Sequence, residues 1–163
     1  MQQYVALLRA ISNVSMKSFR EAMEALGFTG VESYGMSGNL LFNAPRADMA
    51  VLEEQITAQF STRAMVRTRT ELARIVAKDP FDNSILLLRR APAASRKRAL
   101  LELDFESPHP VLRGKTVYFV HPAQLRGKRA SFDFERALGV LGTARSARVV
   151  RQILARMSDS TND

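Results

Sequence analysis

The order in which apolar runs and helical patterns follow one another is the feature that most constrains the fold of this chain. Tyr4–Ile11 is a nearly continuous apolar run, which predicts a central strand. A helix is predicted next over Met16–Leu26, where apolar residues recur at helical spacing between a Ser15 N-cap and a Gly27 stop. The remaining predicted elements of the first part are strands over Val31–Met36 and Leu40–Phe42, a helix from Asp48 to Phe60, and a strand over Ala64–Arg67. This order is β-α-β-β-α-β, which is typical of a ferredoxin-like unit.

The same order recurs after a third helix, for which Thr70 is the predicted N-cap and Asp79-Pro80 the predicted end. The elements of the second series are a strand over Ser84–Leu88, a basic helix over Ser95–Leu103, strands over Pro108–Leu112 and Thr116–Val120 joined at Arg113-Gly114-Lys115, and helices over Ser131–Leu138 and Ala147–Met157. Gly142–Ala144 is too short to assign as the strand between the last two helices. The two series share element order but no obvious sequence identity.

These patterns predict an α+β protein with two ferredoxin-like repeats packed together, each with an antiparallel sheet and helices on one face. We expect a first subdomain over 1–69, a connecting helix and loop over 70–83, a second, basic subdomain over 84–157 and a frayed tail over 158–163. The 163 residues include no cysteine, which excludes disulfides and thiolate chemistry. With no signal-like or membrane-spanning apolar run, we expect a cytoplasmic protein.

Positive charge is concentrated in the second part of the chain. Residues 1–80 carry nine Lys and Arg against eight Asp and Glu, whereas residues 81–163 carry fifteen against eight. The basic residues of the stretch 126–156 are Arg126, Lys128, Arg129, Arg136, Arg145, Arg148, Arg151 and Arg156. Such an uneven distribution has two interpretations. The charge either attracts polyanions or forms a solvated surface that keeps the protein soluble.

Side chains for catalysis are few. Neither of the two histidines, His109 and His121, has a second histidine or a carboxylate at the spacing of metal ligands, so no metal site is expected. No glycine-rich phosphate loop and no nucleophile elbow occurs, and no cofactor is predicted. The carboxylate pairs Glu53-Glu54 and Asp133/Glu135 point apart and are expected to be solvated.

Two segments are nevertheless candidates for ligand binding. Ser37-Gly38-Asn39 is a hairpin turn by composition, and it also presents a hydroxyl, an amide and backbone N–H groups, with Arg9 expected nearby. The second segment is the basic loop Arg126–Ser131, in which Ser131 can cap the following helix and Arg126, Lys128 and Arg129 supply positive charge. Arg145, Arg148, Arg151 and Gln152 share a helix face if the last helix begins early enough, and arginine suits phosphate.

Four motifs follow one another along the chain: YVALLRAI, MEALGFTGVESYGMSGNLLFN, LARIVAKDPF and RGKRASFDFERALGVLGTARS. Their order resembles a bacterial family known as domain of unknown function 1697. The resemblance implies two ferredoxin-like repeats in a small cytoplasmic protein and no established activity. Relative to the family pattern, Ala10 replaces a glycine, Met36 a glutamine and Ser146-Ala147 an Asn-Trp pair, while Arg9, Ser37, Gly38, Asn39, Lys128 and Arg145 are kept.

Three functions remain open from the sequence. The first is a non-catalytic protein that binds an anionic ligand, a nucleic acid or a phosphorylated metabolite, through the basic second half. The second is an enzyme with a polar site formed by Arg9, Ser37, Asn39, Lys128 and Arg145. The third is a protein-interaction or structural role as a homodimer through a sheet edge. No membrane partner is expected.

Overall fold

The computed structural model describes residues 1–9, 14–35, 38–105, 108–121 and 129–158, with the backbone alone for residues 129–132. The chain divides into two compact units. The first consists of Met1–Arg74 together with Arg151–Asp163, and the second of Ile75–Val150. The described residues form two four-stranded antiparallel sheets and six helices. The predicted α+β class is therefore confirmed.

The first unit contains sheet A, whose strand order is β2-β3-β1-β4. Its elements are β1 (Gln2–Leu8), α1 (Met16–Ala25), β2 (Thr29–Tyr34), β3 (Asn39–Ala44), α2 (Met49–Phe60) and β4 (Ala64–Thr68). Helix α3 (Arg69–Ala77) follows and runs into the second unit. Both predicted helix starts are confirmed, because Ser15 Oγ accepts a hydrogen bond from Ser18 N at 3.1 Å and Asp48 accepts one from Ala50 N at 2.9 Å.

The second unit contains sheet B, whose strand order is β6-β7-β5-β8. Its elements are β5 (Ser84–Leu88), α4 (Ala94–Leu101), β6 (Val111–Arg113), β7 (Thr116–Phe119), α5 (Arg129–Leu138) and β8 (Gly142–Ser146). Helix α6 (Ala147–Arg156) begins in the second unit and ends in the first. Gly114, with φ +59°, forms the predicted hairpin turn between β6 and β7.

In each unit, one face of the sheet packs against helices. In the first unit, Tyr4, Ala6 and Leu8 of β1 form a core with Phe19 of α1 and Ile56 of α2. The corresponding core of the second unit is formed by Leu86 and Leu88 with Leu100, Phe134 and Leu138. The alternate residues of β1 and β5, which are Val5, Leu7, Ile85 and Leu87, are also buried. Burial on both faces explains why both strands read as continuous apolar runs.

Several local predictions need correction. Thr68, rather than Thr70, caps α3, because its Oγ1 accepts a hydrogen bond from Glu71 N at 3.2 Å and its own N–H donates to Glu71 Oε2 at 3.1 Å. Helix α5 starts at Arg129, so Ser131 lies inside its first turn and is not the N-cap. The strand that the sequence left unassigned is β8, where Gly, Thr and Ser dilute the apolar signal.

The C-terminal part of α6 belongs with the first unit, whereas the expected boundaries placed it in the second. Gln152 Oε1 accepts a hydrogen bond from Tyr34 Oη at 2.8 Å, and the Arg156 guanidinium lies 4.6 Å from the centre of the Tyr34 ring. Ser158 N donates to Gln3 Oε1 at 2.7 Å, and the remainder of the predicted tail, 159–163, lies outside the described residues. No helix in the described part of the chain is long and apolar enough to cross a membrane.

Candidate functional site

The end of β1 lies beside the predicted turn of the first unit. Leu8 N donates to Gly38 O at 2.8 Å, and Arg9 N donates to Arg63 O at 2.9 Å. Gly38 has φ +72°, a backbone conformation that favours glycine. Arg9 and Gly38 therefore adjoin at one end of sheet A, while Ser37 lies outside the described residues.

The side chain of Asn39 is not presented to a ligand. Asn39 is buried, with 2% of its surface exposed, and its Nδ2 donates to Tyr34 O at 3.0 Å. This hydrogen bond crosses the turn between β2 and β3. Asn39 thus stabilises the hairpin, which is the structural interpretation of the Ser37-Gly38-Asn39 segment.

The candidate side chains of the second half fall in β8, in α6 or outside the described residues. Arg126 and Lys128 are outside the described residues, as is the side chain of Arg129. Arg148 and Arg151 are exposed and lie three positions apart on α6. Arg145 precedes that helix, so the proposed helix face does not include it.

Arg145 is instead a residue of β8, where it lies opposite Ile85. Its Nη1 donates to Thr143 Oγ1 at 3.0 Å and to Ala144 O at 2.8 Å. Burial lowers the pKa of Arg145 to about 10, which still leaves the guanidinium charged at neutral pH. The helix begins after it because Ser146 Oγ accepts a hydrogen bond from Val149 N at 3.2 Å.

A stronger concentration of exposed charge runs from the end of β5 into α4. We call it the basic segment, and its charged residues are Arg89, Arg90, Arg96, Lys97 and Arg98, all exposed. No Asp or Glu occurs between Asp82 and Glu102.

Three contacts bring this segment to one end of sheet B. Arg89 N donates to Leu141 O at 2.8 Å, and Leu88 N donates to Lys115 O at 2.9 Å. Arg96 lies against Gly139, since its Nε would be 3.7 Å from a Cβ placed there. The end of β5, the turn before β7 and the start of α4 therefore meet at the same end of the sheet. A carboxylate also lies at this end, that of Glu135, which accepts a hydrogen bond from Gly142 N at 3.1 Å. Glu135 is buried, as is Glu53 in the first unit, so the expectation that these two carboxylates are solvated is wrong.

The two units place an arginine at the same position. Arg9 and Arg89 each follow the first strand of their unit by one residue, and each donates its backbone N–H to the residue that precedes the last strand. The sequence contains a signal for this equivalence, because Leu7-Leu8-Arg9-Ala10 matches Leu87-Leu88-Arg89-Arg90-Ala91 in its Leu-Leu-Arg core. Sequence reasoning missed Arg89 because it compared the order of elements and not the ends of the strands.

Little other chemistry is available in the residues whose positions the structure gives. No group of three or more His, Asp or Glu side chains that could hold a metal ion occurs among them. His109 is exposed, and the ring of His121 lies 6.4 Å from that of Phe119. The candidate feature for ligand binding in the second unit is therefore the exposed positive charge at one end of sheet B.

Comparison with solved structures supports the fold. A conserved bacterial protein of Streptococcus pneumoniae, SP0830, superposes with a TM-score of 0.63 at 18% identity, covering 95% of this chain and 97% of the other. At that identity the similarity concerns the fold alone. No curated protein matches the chain.

The family assignment comes from the sequence profile of a protein family of unknown function, DUF1697, which matches residues 1–118. The matched region includes the whole of sheet A and the basic segment, and it ends within β7, before the basic loop. The match covers well over half of the sequence and confirms the resemblance noted from the motifs. This chain belongs to the DUF1697 family of proteins of unknown function.

Proposed function

We propose that this protein is a non-catalytic binding protein for an anionic ligand, a nucleic acid or a phosphorylated metabolite, and that the basic end of its second unit makes the contact. The observation that carries the proposal is the position of the basic segment beside Lys115 at one end of sheet B. Four of the five charged residues of the segment are arginines, whose planar guanidinium groups bind phosphate oxygens in pairs.

The exposure of these residues supports binding rather than a structural role. A fully buried arginine needs a partner for its charge, as Arg67 has in Glu53 of the first unit at 3.1 Å. The five charged side chains of the basic segment are exposed to solvent. Like charges placed close together repel one another, and an anionic ligand removes that repulsion.

An enzymatic site around Ser37-Gly38-Asn39 is less well supported. It requires the Asn39 amide as a ligand contact, and that amide is buried in a hydrogen bond to Tyr34 O. It also uses the Arg145 guanidinium, which is half-buried and donates hydrogen bonds to Thr143 Oγ1 and Ala144 O. Binding through exposed charge needs neither contact.

The experiment is titration calorimetry at low salt with two probes, inorganic pyrophosphate and a 20-base-pair DNA duplex. The test variant is Arg96→Ala/Lys97→Ala/Arg98→Ala, and the matched control is Lys17→Ala/Arg20→Ala/Arg46→Ala, which removes three exposed charges from the first unit. We expect at least one probe to bind the wild type and the control equally and the test variant at least tenfold more weakly. An equal loss of affinity in both variants, or no binding of either probe to the wild type, would overturn the proposal.

The finer description of the fold is part of the same proposal. Each unit has the β-α-β-β-α-β order, and the order β2-β3-β1-β4 of sheet A recurs as β6-β7-β5-β8 in sheet B. These features support two ferredoxin-like repeats. We also propose a cytoplasmic location, which fits a chain without cysteine because it has no disulfide that would need an oxidising compartment.

A further inference from the structure

We infer that the ligand of the basic segment is the phosphodiester backbone of a nucleic acid duplex, bound without regard to base sequence. The inference rests on the proposed function and names the ligand class for the same surface. Two features of the second unit carry it: the directions in which the charged side chains leave the backbone, and the burial of the aromatic rings around them.

The charged residues are spread too widely to close around one small anion. Arg96, Lys97 and Arg98 are consecutive residues of α4, and successive residues of a helix point about 100° apart. Arg89 and Arg90 lie outside that helix, at the end of β5, and Lys115 lies in the turn before β7. A pyrophosphate can meet only part of such a set, whereas a duplex presents one charge per roughly 1.7 Å of its axis and can meet residues of all three elements.

None of the Phe and Tyr side chains that the structure describes in the second unit is exposed for base stacking. Among its described side chains, Tyr118, Phe119 and Phe134 are at most 2% exposed. Phe81 and Phe105 are half-buried, and the Phe105 ring centre lies 5.2 Å from that of Phe134. Proteins that bind single strands combine positive charge with exposed aromatic rings on which bases stack. Charge without such rings favours contact with the backbone alone, and the duplex has the higher charge density.

The test is fluorescence anisotropy with labelled oligonucleotides and the full-length protein. Four binding measurements are compared at equal salt: two 20-base-pair duplexes of unrelated sequence, a 20-nucleotide single strand, and the first duplex in competition with inorganic pyrophosphate. We expect the two duplexes to bind within about twofold of each other and the single strand to bind more weakly. Competition by pyrophosphate should require at least a hundredfold higher concentration of phosphate groups.

The outcomes separate this inference from the proposed function. Tight binding of pyrophosphate with weak binding of either duplex would overturn the inference and leave anion binding in place. Tighter binding of the single strand, or a tenfold preference for one duplex, would also overturn it. Vesicles of phosphatidylcholine and phosphatidylglycerol are the last probe, and a higher affinity for them than for the duplex would assign the surface to a membrane instead. Absence of binding to every probe at low salt would overturn both proposals.

Discussion

Arg67 and Arg145 occupy the same position in the two units. Each is the fourth residue of the last strand of its sheet, and each lies opposite an apolar residue of the first strand, Val5 or Ile85. The Nη1 of each donates to the carbonyl of the preceding residue, at 2.7 Å for Arg67 and 2.8 Å for Arg145. The repeat therefore extends from element order to the conformation of single side chains.

The two arginines differ in what their guanidinium groups contact beyond that carbonyl. Arg67 Nη1 lies 3.1 Å from Glu53 Oε1, and the same oxygen accepts a hydrogen bond from Val66 N at 2.9 Å. Burial lowers the pKa of Arg67, and the charge of Glu53 acts in the opposite direction. Arg145 contacts the hydroxyl of Thr143. The ion pair thus joins α2 to β4 in the first unit.

We predict that Glu53→Ala destabilises the protein by about 3–5 kcal/mol, because it removes the carboxylate from a fully buried guanidinium. Replacing both partners, as in Glu53→Leu/Arg67→Met, should cost much less, since no buried charge is left behind. Urea unfolding followed by circular dichroism measures both. If Glu53→Ala lowers the free energy of unfolding by less than about 1 kcal/mol, the ion pair is not needed for stability.

The stability of the second unit should fall at high pH through Tyr118. Its Oη donates to Ile75 O at 2.9 Å, and its pKa is raised to about 12, first by burial and then by the charge of Asp79, with Arg113 acting in the opposite direction. In the unfolded chain the phenol ionises near pH 10, so its contribution is fully present below pH 10 and is lost as the pH rises to 12. The expected loss is about 2–3 kcal/mol.

Tyr118→Phe isolates this effect, because phenylalanine does not titrate. At pH 8 the variant should be less stable than the wild type by about 1–2 kcal/mol, since Ile75 O loses its hydrogen bond. The difference between the two proteins should shrink between pH 9 and pH 11.5 in parallel urea titrations. A difference that stays constant with pH would contradict the assigned pKa of Tyr118.

Gly142→Ala should destabilise β8 by steric overlap. A Cβ on Gly142 would lie 2.6 Å from Leu87 O, a backbone atom of the neighbouring strand that cannot move without disturbing the pairing of β5 and β8. We expect a cost of about 1–3 kcal/mol in thermal or urea unfolding. The first unit supplies the comparison, because Ala64 stands at the corresponding place opposite Leu8 and a Cβ is accepted there. If Gly142→Ala is as stable as the wild type, β5 and β8 must be able to move apart at little cost.

How much the sequence could predict depends on the kind of signal that each element carries. The strand Ser84–Leu88 was predicted at its exact bounds, since a short apolar run between polar residues leaves few alternatives. Strand β8 was not assigned, because Gly142, Thr143 and Ser146 are poor strand markers and its pairing with β5 is a tertiary contact. Arg96, Lys97 and Arg98 are predicted only as part of a basic helix over Ser95–Leu103, because the contacts of β5 with Leu141 and Lys115 depend on sheet register.

The measurement that tests the central claim most directly is the salt dependence of duplex binding by two variants. In the wild type, the logarithm of the binding constant should fall by about 0.9 for each contacted phosphate per tenfold rise in salt. If the basic segment contacts the duplex, Arg96→Ala/Lys97→Ala/Arg98→Ala should make this slope shallower by about 0.9 for each of the three side chains that contacts a phosphate. Lys17→Ala/Arg20→Ala/Arg46→Ala, which removes the same charge elsewhere, should leave it unchanged. Parallel plots for the wild type and both variants would contradict the account, because the bound phosphates would then lie away from α4.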